Sequence, residues 1–351
     1  MKTKVLTTLF CSFLLGFFSV TAQIPAYYSS VDFTQEGNAL KDDLSTLIIS
    51  THTTLIPYTS MSTDTWDIIH SSDADVTIPN NVILFYGYDD DDNLPFNDRT
   101  RSISYQSSGS CIGYWNREHV FAKSLANPYL EINDPGAGTD VHNLRAIDCQ
   151  MNSKRNNRIF VRGSGASNNS GSYFYPGDEF KGDVARIIMY MSLRYPSQCD
   201  PLSVGAGSTS YSPNNDIPDV FLEWNAEDPV SEFERNRNDV IQTFQGNRNP
   251  FIDNPYIATQ IWGGPSAKNS WEMEFSVSNL YLYPTICKDE IYISNHKSEI
   301  RLEFSIFNID GDEVQKGEAH NYIMFENHPP GTYFLTIRYG ESEKSQTIYI
   351  L

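Results

Sequence analysis

Positive charge is scarce in this 351-residue chain: Lys and Arg number 25 against 44 Asp and Glu, a formal net charge of −19. A general nucleic-acid coat carries a broad basic face, so that class is excluded, although one local basic patch is not. From Arg101 to Arg162 there are eight Lys/Arg and five Asp/Glu, so this stretch runs against the acidic background. Long apolar runs are missing beyond the first 20 residues, which leaves no candidate membrane span in the body of the chain. No internal repeat is apparent, which argues against a solenoid or propeller. Cysteine is sparse and shows no C-x₂₋₄-C spacing, which disfavours a structural zinc site on Cys111, His119, His142 and Cys149.

The start of the chain reads as a signal peptide over residues 1–22. Lys2 and Lys4 precede the mostly apolar stretch Val5 to Phe18, and Val20-Thr21-Ala22 forms a small-residue cleavage site before Gln23. Cys11 lies too early in that stretch for lipid attachment. The mature protein is expected outside the cytoplasm, exported through the periplasm and then either released or held at the outer surface. In that oxidising setting Cys111, Cys149, Cys199 and Cys287 can form one or two disulfides. A Cys111–Cys149 bridge would staple the region between them, but the spacing alone does not fix the pairing.

Texture divides the chain into 23–265, a linker at 266–274, and 275–351. In the first part, Asp183 to Tyr195 has helical spacing, with Val184, Ile187, Ile188 and Met191 on one face and Pro196 as a stop. Phe233 to Phe244 is a second helix, with Gly246 near its end. Ser- and Gly-rich text at 163–172 and 203–212 predicts loops. The acidic run Asp89 to Asp92 has no regular ligand spacing and reads as a solvated loop. From Phe275 onward, alternation at Arg301–Phe307, Gly331–Tyr339 and Ser345–Leu351, with turns at Asp310-Gly311-Asp312 and Gly340-Glu341, predicts a small antiparallel β-sandwich. The fold class is therefore α+β followed by an all-β module.

Chemistry concentrates in three segments: Asn116 to Ser124 (N-R-E-H-V-F-A-K-S), Asp140 to Arg145 (D-V-H-N-L-R) and Asn152 to Asn157 (N-S-K-R-N-N). His119 is a candidate general base, since imidazole with an ordinary pKa of about 6.5 takes a proton from water near neutrality. Glu118 and Asn152 supply two oxygen donors, a set that suits Mg²⁺ with its retained hydration; Mn²⁺ or Ca²⁺ are substitutes. Neighbours on a strand point to opposite faces, so Glu118 and His119 share a site only if the chain turns there. Arg145 is expected to share transition-state charge, and Arg117, Arg155 and Arg158 to contact phosphate. Asp140, His142 and Asn156 are expected to orient the others.

These blocks resemble the bacterial endonuclease I family, secreted or periplasmic nucleases of the His-Me finger class. Lys181 to Arg186 and Gln245 to Asp253 extend the resemblance, which covers most of residues 23–262. Phe121-Ala122 stands where Trp-Pro is commoner, and Ala146 where Pro is commoner. The resemblance implies a ββα-metal nuclease domain with His119 as base and Glu118 and Asn152 as magnesium ligands. It also implies DNA, and RNA as a further candidate, as substrate, with 5′-phosphate and 3′-hydroxyl products. The tail resembles the type A sorting domain of the type IX secretion system, carried by Leu282-Tyr283-Pro284 and Pro330 to Leu335, with Thr285-Ile286 in place of the usual Asn-Pro. This implies the secretion machinery as a partner. A non-catalytic secreted nucleic-acid-binding or adhesive protein, and a phosphoesterase of small substrates, are the competing readings.

Overall fold

A computed structural model of the chain describes residues 24–107, 109–271, 277, 280–294, 301–325, 328–339 and 342–351. The expected signal peptide, the end of the expected linker (272–274) and the Gly340-Glu341 turn lie outside the described residues. The chain divides into two compact units, Ile24–Trp271 and a second that holds Glu272–Leu351.

The first unit is α+β. In chain order it contains α1 (Gly37–Thr51), α2 (Thr65–Ser72), β1 (Asn81–Ile83), β2 (Thr100–Ser102), β3 (Trp115–His119), β4 (Leu144–Asp148) and α3 (Cys149–Arg155). There follow β5 (Ile159–Phe160), β6 (Asn168–Ser170), β7 (Tyr173–Tyr175), α4 (Lys181–Arg194), α5 (Asp219–Glu227), α6 (Glu232–Gln245), α7 (Pro250–Asp253) and α8 (Tyr256–Trp262). Local chemistry sets several boundaries. Asp64 and Asp67 close a capping box on α2, Ser231 and Glu234 close another on α6, and Gly246 ends α6 in the left-handed region at φ 93°. Residues 163–172, expected as loop, contain β6, which pairs antiparallel with β7 across a tight connection at Gly171 (φ 60°).

Helix α4 departs from its expected one-sided stripe, since Gly182 through Leu193 are all buried. Leu40, Leu44 and Ile48 of α1 and Val220, Phe221 and Trp224 of α5 join its apolar residues in one core. Its polar side is buried because partners satisfy it. Asp183 Oδ2 accepts from Arg145 Nη1 at 2.9 Å, Arg186 donates to both oxygens of Glu234 at 2.7 and 2.8 Å, and the Tyr190 hydroxyl donates to Asp140 at 2.8 Å. Gly182 permits this packing, since a Cβ there would stand 2.5 Å from the Asp228 carbonyl oxygen.

The second unit is all-β. A five-stranded sheet has the order β12 (Glu313–Ala319), β11 (Leu302–Phe307), β14 (Gly331–Tyr339), β15 (Ser342–Ile350), β9 (Ile286–Cys287). A three-stranded sheet has the order β13 (Tyr322–Met324), β10 (Glu290–Ser294), β8 (Tyr281–Tyr283). The alternating residues Leu302, Phe304, Ile306, Leu335, Ile337, Ile348 and Ile350 meet Leu282, Ile291, Ile293 and Ile323 in a single core. One pairing differs from the antiparallel expectation. The two-residue edge strand β9 runs parallel to β15, Tyr349 opposite Ile286. No helix among the described residues is long and apolar enough to cross a membrane.

Removing one partner of a buried ion pair strands the other charge, so Arg186→Ala should lower unfolding free energy by about 3–5 kcal/mol. Urea denaturation measures it; an unchanged midpoint would mean that Glu234 finds another partner.

Candidate active site

Strands β3 and β4 pair antiparallel, Trp115 opposite Asp148 through His119 opposite Leu144, and α3 follows β4 directly. This is the ββα arrangement. The start of α3 is fixed covalently and electrostatically. Cys149, its first residue, is disulfide-bonded to Cys111. Asp148 caps the helix, accepting from Gln150 N at 2.7 Å and Met151 N at 3.0 Å, while its other oxygen takes Arg101. With both thiols consumed, the zinc alternative on Cys111 and Cys149 falls. Cys199 and Cys287 are free and buried.

A cleft of about 390 Å³ opens beside this finger, lined by Glu118, His119 and Asn152 together with Asn116, Lys123 and Tyr129. His119 ends β3 and the chain bends at Val120, so both members of the Glu118-His119 pair reach the same cleft. The His119 ring stacks on Tyr58, centroids 5.7 Å apart at 24°. Its Nε2 lies 2.8 Å from the Gly138 carbonyl oxygen. A carbonyl only accepts, so Nε2 carries the proton and Nδ1 keeps a lone pair. Burial pushes the His119 pKa down to about 3, so the ring is neutral.

Glu118 is 2% exposed. Arg155 Nε lies 3.3 Å from its Oε1, and the Tyr86 hydroxyl donates to the same oxygen at 3.4 Å. Burial pushes the Glu118 pKa up to about 7, with Arg155 opposing. Among the described residues Oε2 has no protein partner. Asn152 donates from Nδ2 to Asn116 Oδ1 at 2.7 Å and to the Arg117 carbonyl at 3.3 Å, which commits its amide nitrogen and leaves Oδ1 for the cleft. A buried carboxylate with one unused oxygen beside an oriented amide oxygen fits a hard, hydrated cation. No cluster of three His, Cys, Asp or Glu side chains able to hold a metal occurs among the described residues, so water would complete the shell.

The predicted arginine roles need correction. Arg145 does not line the cleft. It is 1% exposed and its charge is taken by Asp73 (3.1 Å) and Asp183 (2.9 Å). Arg117 borders the cleft, but its guanidinium is sandwiched between Tyr58 and Trp66 (3.4 and 3.9 Å to the ring centroids) and donates to Thr65 Oγ1 and Thr59 Oγ1. Arg158 lies off the cleft and donates to the carbonyls of Gly171 and Lys154. Arg155 borders the cleft, buried, and holds the carbonyls of Val120 (2.7 Å) and Asn156 (2.8 Å). A guanidinium already bonded on several sides is held from reaching a new phosphate.

Asp140 and His142 also lie outside the cleft. Asp140 accepts from Tyr190, Tyr195 and Gln245 at 2.8–3.0 Å, and from the His142 amide at 2.9 Å. They hold the turn whose Asn143 brackets Phe121: Oδ1 accepts from its amide at 2.7 Å and Nδ2 donates to its carbonyl at 3.2 Å. Asn156 borders the cleft at a left-handed φ of 53°, capping α3 through its amide to the Asn152 carbonyl at 2.7 Å. Sequence reasoning missed Tyr58, Tyr86, Asn116 and Gly138. A backbone carbonyl and remote aromatics carry no spacing signal, although Asn116 and Lys123 both stood inside the first block.

The chain belongs to the endonuclease I family. Residues 36–256 match the Endonuclease I family model, and residues 281–351 match the secretion system C-terminal sorting domain. An extracellular ribonuclease of Bacillus amyloliquefaciens is 37% identical over 269 residues, 73% of this chain and 84% of the relative. An extracellular ribonuclease of Bacillus subtilis (strain 168) is 37% identical over 254 residues, 69% of this chain and 80% of the relative. The protein is thus a secreted nuclease, a hydrolase of phosphodiester bonds, with a nucleic acid as substrate.

Three outcomes are expected from this geometry. Reduction of Cys111–Cys149 frees a loop that spans 38 positions and should cost about 4 kcal/mol of stability by chain entropy, read from denaturant midpoints with and without reductant. A Cβ at Gly138 would stand 2.1 Å from the Glu131 carbonyl oxygen, so Gly138→Ala should shift the carbonyl that holds His119 and lower kcat about 10-fold or more. Full activity in that variant would show that the carbonyl is dispensable. Burial pushes the His142 pKa down to about 3, against about 6.5 in an unfolded chain. The stability gained by keeping it neutral is complete above about pH 6.5 and is lost toward pH 3, at about 1.4 kcal/mol per unit. Acid unfolding followed by circular dichroism should be shallower in His142→Asn; identical slopes would assign the loss to other groups.

Proposed function

We propose that this protein is a sequence-nonspecific endonuclease of DNA and RNA that uses His119 as general base with one magnesium ion. The observation that carries it is the cleft, where a neutral, carbonyl-pinned imidazole stands with a carboxylate oxygen and an amide oxygen that no group among the described residues uses. Nδ1 of His119 takes a proton from a water as that water attacks phosphorus in line with the departing 3′-oxygen. The Gly138 carbonyl favours the imidazolium so formed, because Nε2 keeps donating to it. Tyr58 holds the ring plane. Glu118 and Asn152 would hold Mg²⁺, which when bound supplies positive charge against that developing on the phosphate and the leaving oxygen. Cleavage of the P–O3′ bond leaves 5′-phosphate and 3′-hydroxyl ends. The name carried by both Bacillus relatives supports RNA among the substrates. We read 23–265 as the catalytic part and 275–351 as the sorting part. The match of residues 281–351 to the secretion system C-terminal sorting domain supports export by the type IX secretion machinery, and Mn²⁺ or Ca²⁺ are candidate substitutes for magnesium.

Supercoiled-plasmid nicking and cleavage of a labelled RNA test this reading. His119→Ala should lower kcat by about 10²–10⁴-fold while the fold is kept. Chelator should abolish cleavage, and Glu118→Gln and Asn152→Ala should each raise the magnesium concentration needed for half-maximal rate. Nicking by His119→Ala at the wild-type rate would refute the base assignment, and cleavage unaffected by chelator would refute the metal.

A further inference from the structure

The arginines expected to meet the substrate are already committed to protein partners. Arg117, Arg145, Arg155 and Arg158 are each engaged by protein carbonyls, hydroxyls or carboxylates. Lys123 differs. It borders the same cleft four positions after His119, in the turn Lys123–Leu125, and its ammonium makes no hydrogen bond or ion pair among the described residues. Its nearest described company is a ring face: Nζ lies 5.7 Å from the centroid of Tyr129. The charge is close enough to weigh against protonation of His119.

Tyr129 is 44% exposed and also borders the cleft. Tyr58, the other aromatic on that wall, is covered by the His119 ring and the Arg117 guanidinium, so Tyr129 is the ring there with a face to offer. The loop that carries both side chains is tied at several points. Leu130, fully buried, donates its amide to the Lys123 carbonyl at 3.2 Å. Gln198 donates to the carbonyls of Pro128 (2.9 Å) and Tyr129 (3.3 Å) and accepts on its backbone from Asn127 N at 3.0 Å. The cation and the ring are therefore presented together on a fixed rim, at low ordering cost.

We infer that Lys123 and Tyr129 form a nucleotide clamp, the ammonium taking a non-bridging phosphate oxygen of the bound strand and the Tyr129 ring stacking on an unpaired base beside it. Stacking needs an exposed base face, which a duplex hides. The clamp therefore gives this site a preference for unpaired strands over duplex. This rests on the nuclease reading of the cleft.

Binding is measured by fluorescence anisotropy on the full chain, in a His119→Ala background with chelator present. The probes are a labelled mixed-sequence oligonucleotide, single-stranded, and the same strand in duplex, each across a salt series. The single strand should bind more tightly. Lys123→Gln should reduce the log–log salt slope by about 0.7 on the single strand and about 0.9 on the duplex, and Lys123→Arg should restore it. Tyr129→Ala should weaken single-strand binding about 5- to 100-fold with a much smaller effect on duplex, and Tyr129→Trp should recover the loss. Thermal midpoints of the variants confirm folding, and the Arg and Trp replacements keep the test decisive if a truncation proves unstable. An unchanged salt slope in Lys123→Gln overturns the phosphate contact. Equal losses on both probes in Tyr129→Ala overturn the stacking. Residual cleavage by His119→Ala would count against the base assignment alone, because the binding series is read without turnover.

Discussion

The site depends on the guanidinium of Arg155. From the last residue of α3 it holds the carbonyls of Val120 and Asn156, approaches that of His119 at 3.4 Å, and stands 3.3 Å from the Glu118 carboxylate. One side chain therefore joins the end of the strand that carries His119, the Glu118 carboxylate and the helix that carries Asn152. Five donors in a fixed fork make arginine suited to such a join, where lysine offers a point charge without geometry. The disulfide at the other end of α3 and the Asp148 cap complete the restraint. The helix is only seven residues long, and a helix this short has little stability of its own in water. Its order comes from these tethers.

The acidic composition acquires a structural meaning here. The chain has few cations, and it places many of them inside: Arg101, Arg117, Arg145, Arg155, Arg186 and Arg237 are all less than 9% exposed. Asp73, Asp183 and Glu234 accompany them around α4 and β4. Buried pairs of this kind recover their desolvation only when geometry is good, so they contribute little net stability while penalising any other arrangement. Their effect is to fix how β4 sits against α4 and α6, and hence where the finger stands. The exterior is left acidic.

Much of the fold could be read from residue order. Alternation marked β11 and β14 because one face of each strand packs on the core, and the periodicity of Val184, Ile187, Ile188 and Met191 marked α4. The blocks around Glu118, His119 and Asn152 fell on adjoining elements that line one cleft. What stayed hidden has a common cause. A sequence gives the type of a side chain but not its partner, and Arg145 meets Asp73 across 72 positions. Gly138 acts through a backbone carbonyl, which every residue owns. Full burial of α4 depended on polar partners brought by β4, α6 and the turn at Asp140, so no single helix could announce it.

Burial shifts the pKa values of the two neighbours at the centre of the cleft in opposite directions. It disfavours charge on both: His119 stays neutral with its Nδ1 lone pair free, though as a weaker base than an exposed imidazole, and the Glu118 carboxylate is left in want of a positive partner. Arg155 meets that want only in part, on one oxygen and at 3.3 Å. A fully exposed pair would have an ordinary imidazole and a carboxylate content with water. The same desolvation thus keeps the His119 lone pair free, at a cost in basicity that the Gly138 carbonyl offsets in part, and makes the Glu118 carboxylate receptive to a cation on its unused oxygen. Because His119 and Glu118 are adjacent on β3, a single buried strand end accomplishes both, and the position of that strand end is what Arg155 holds.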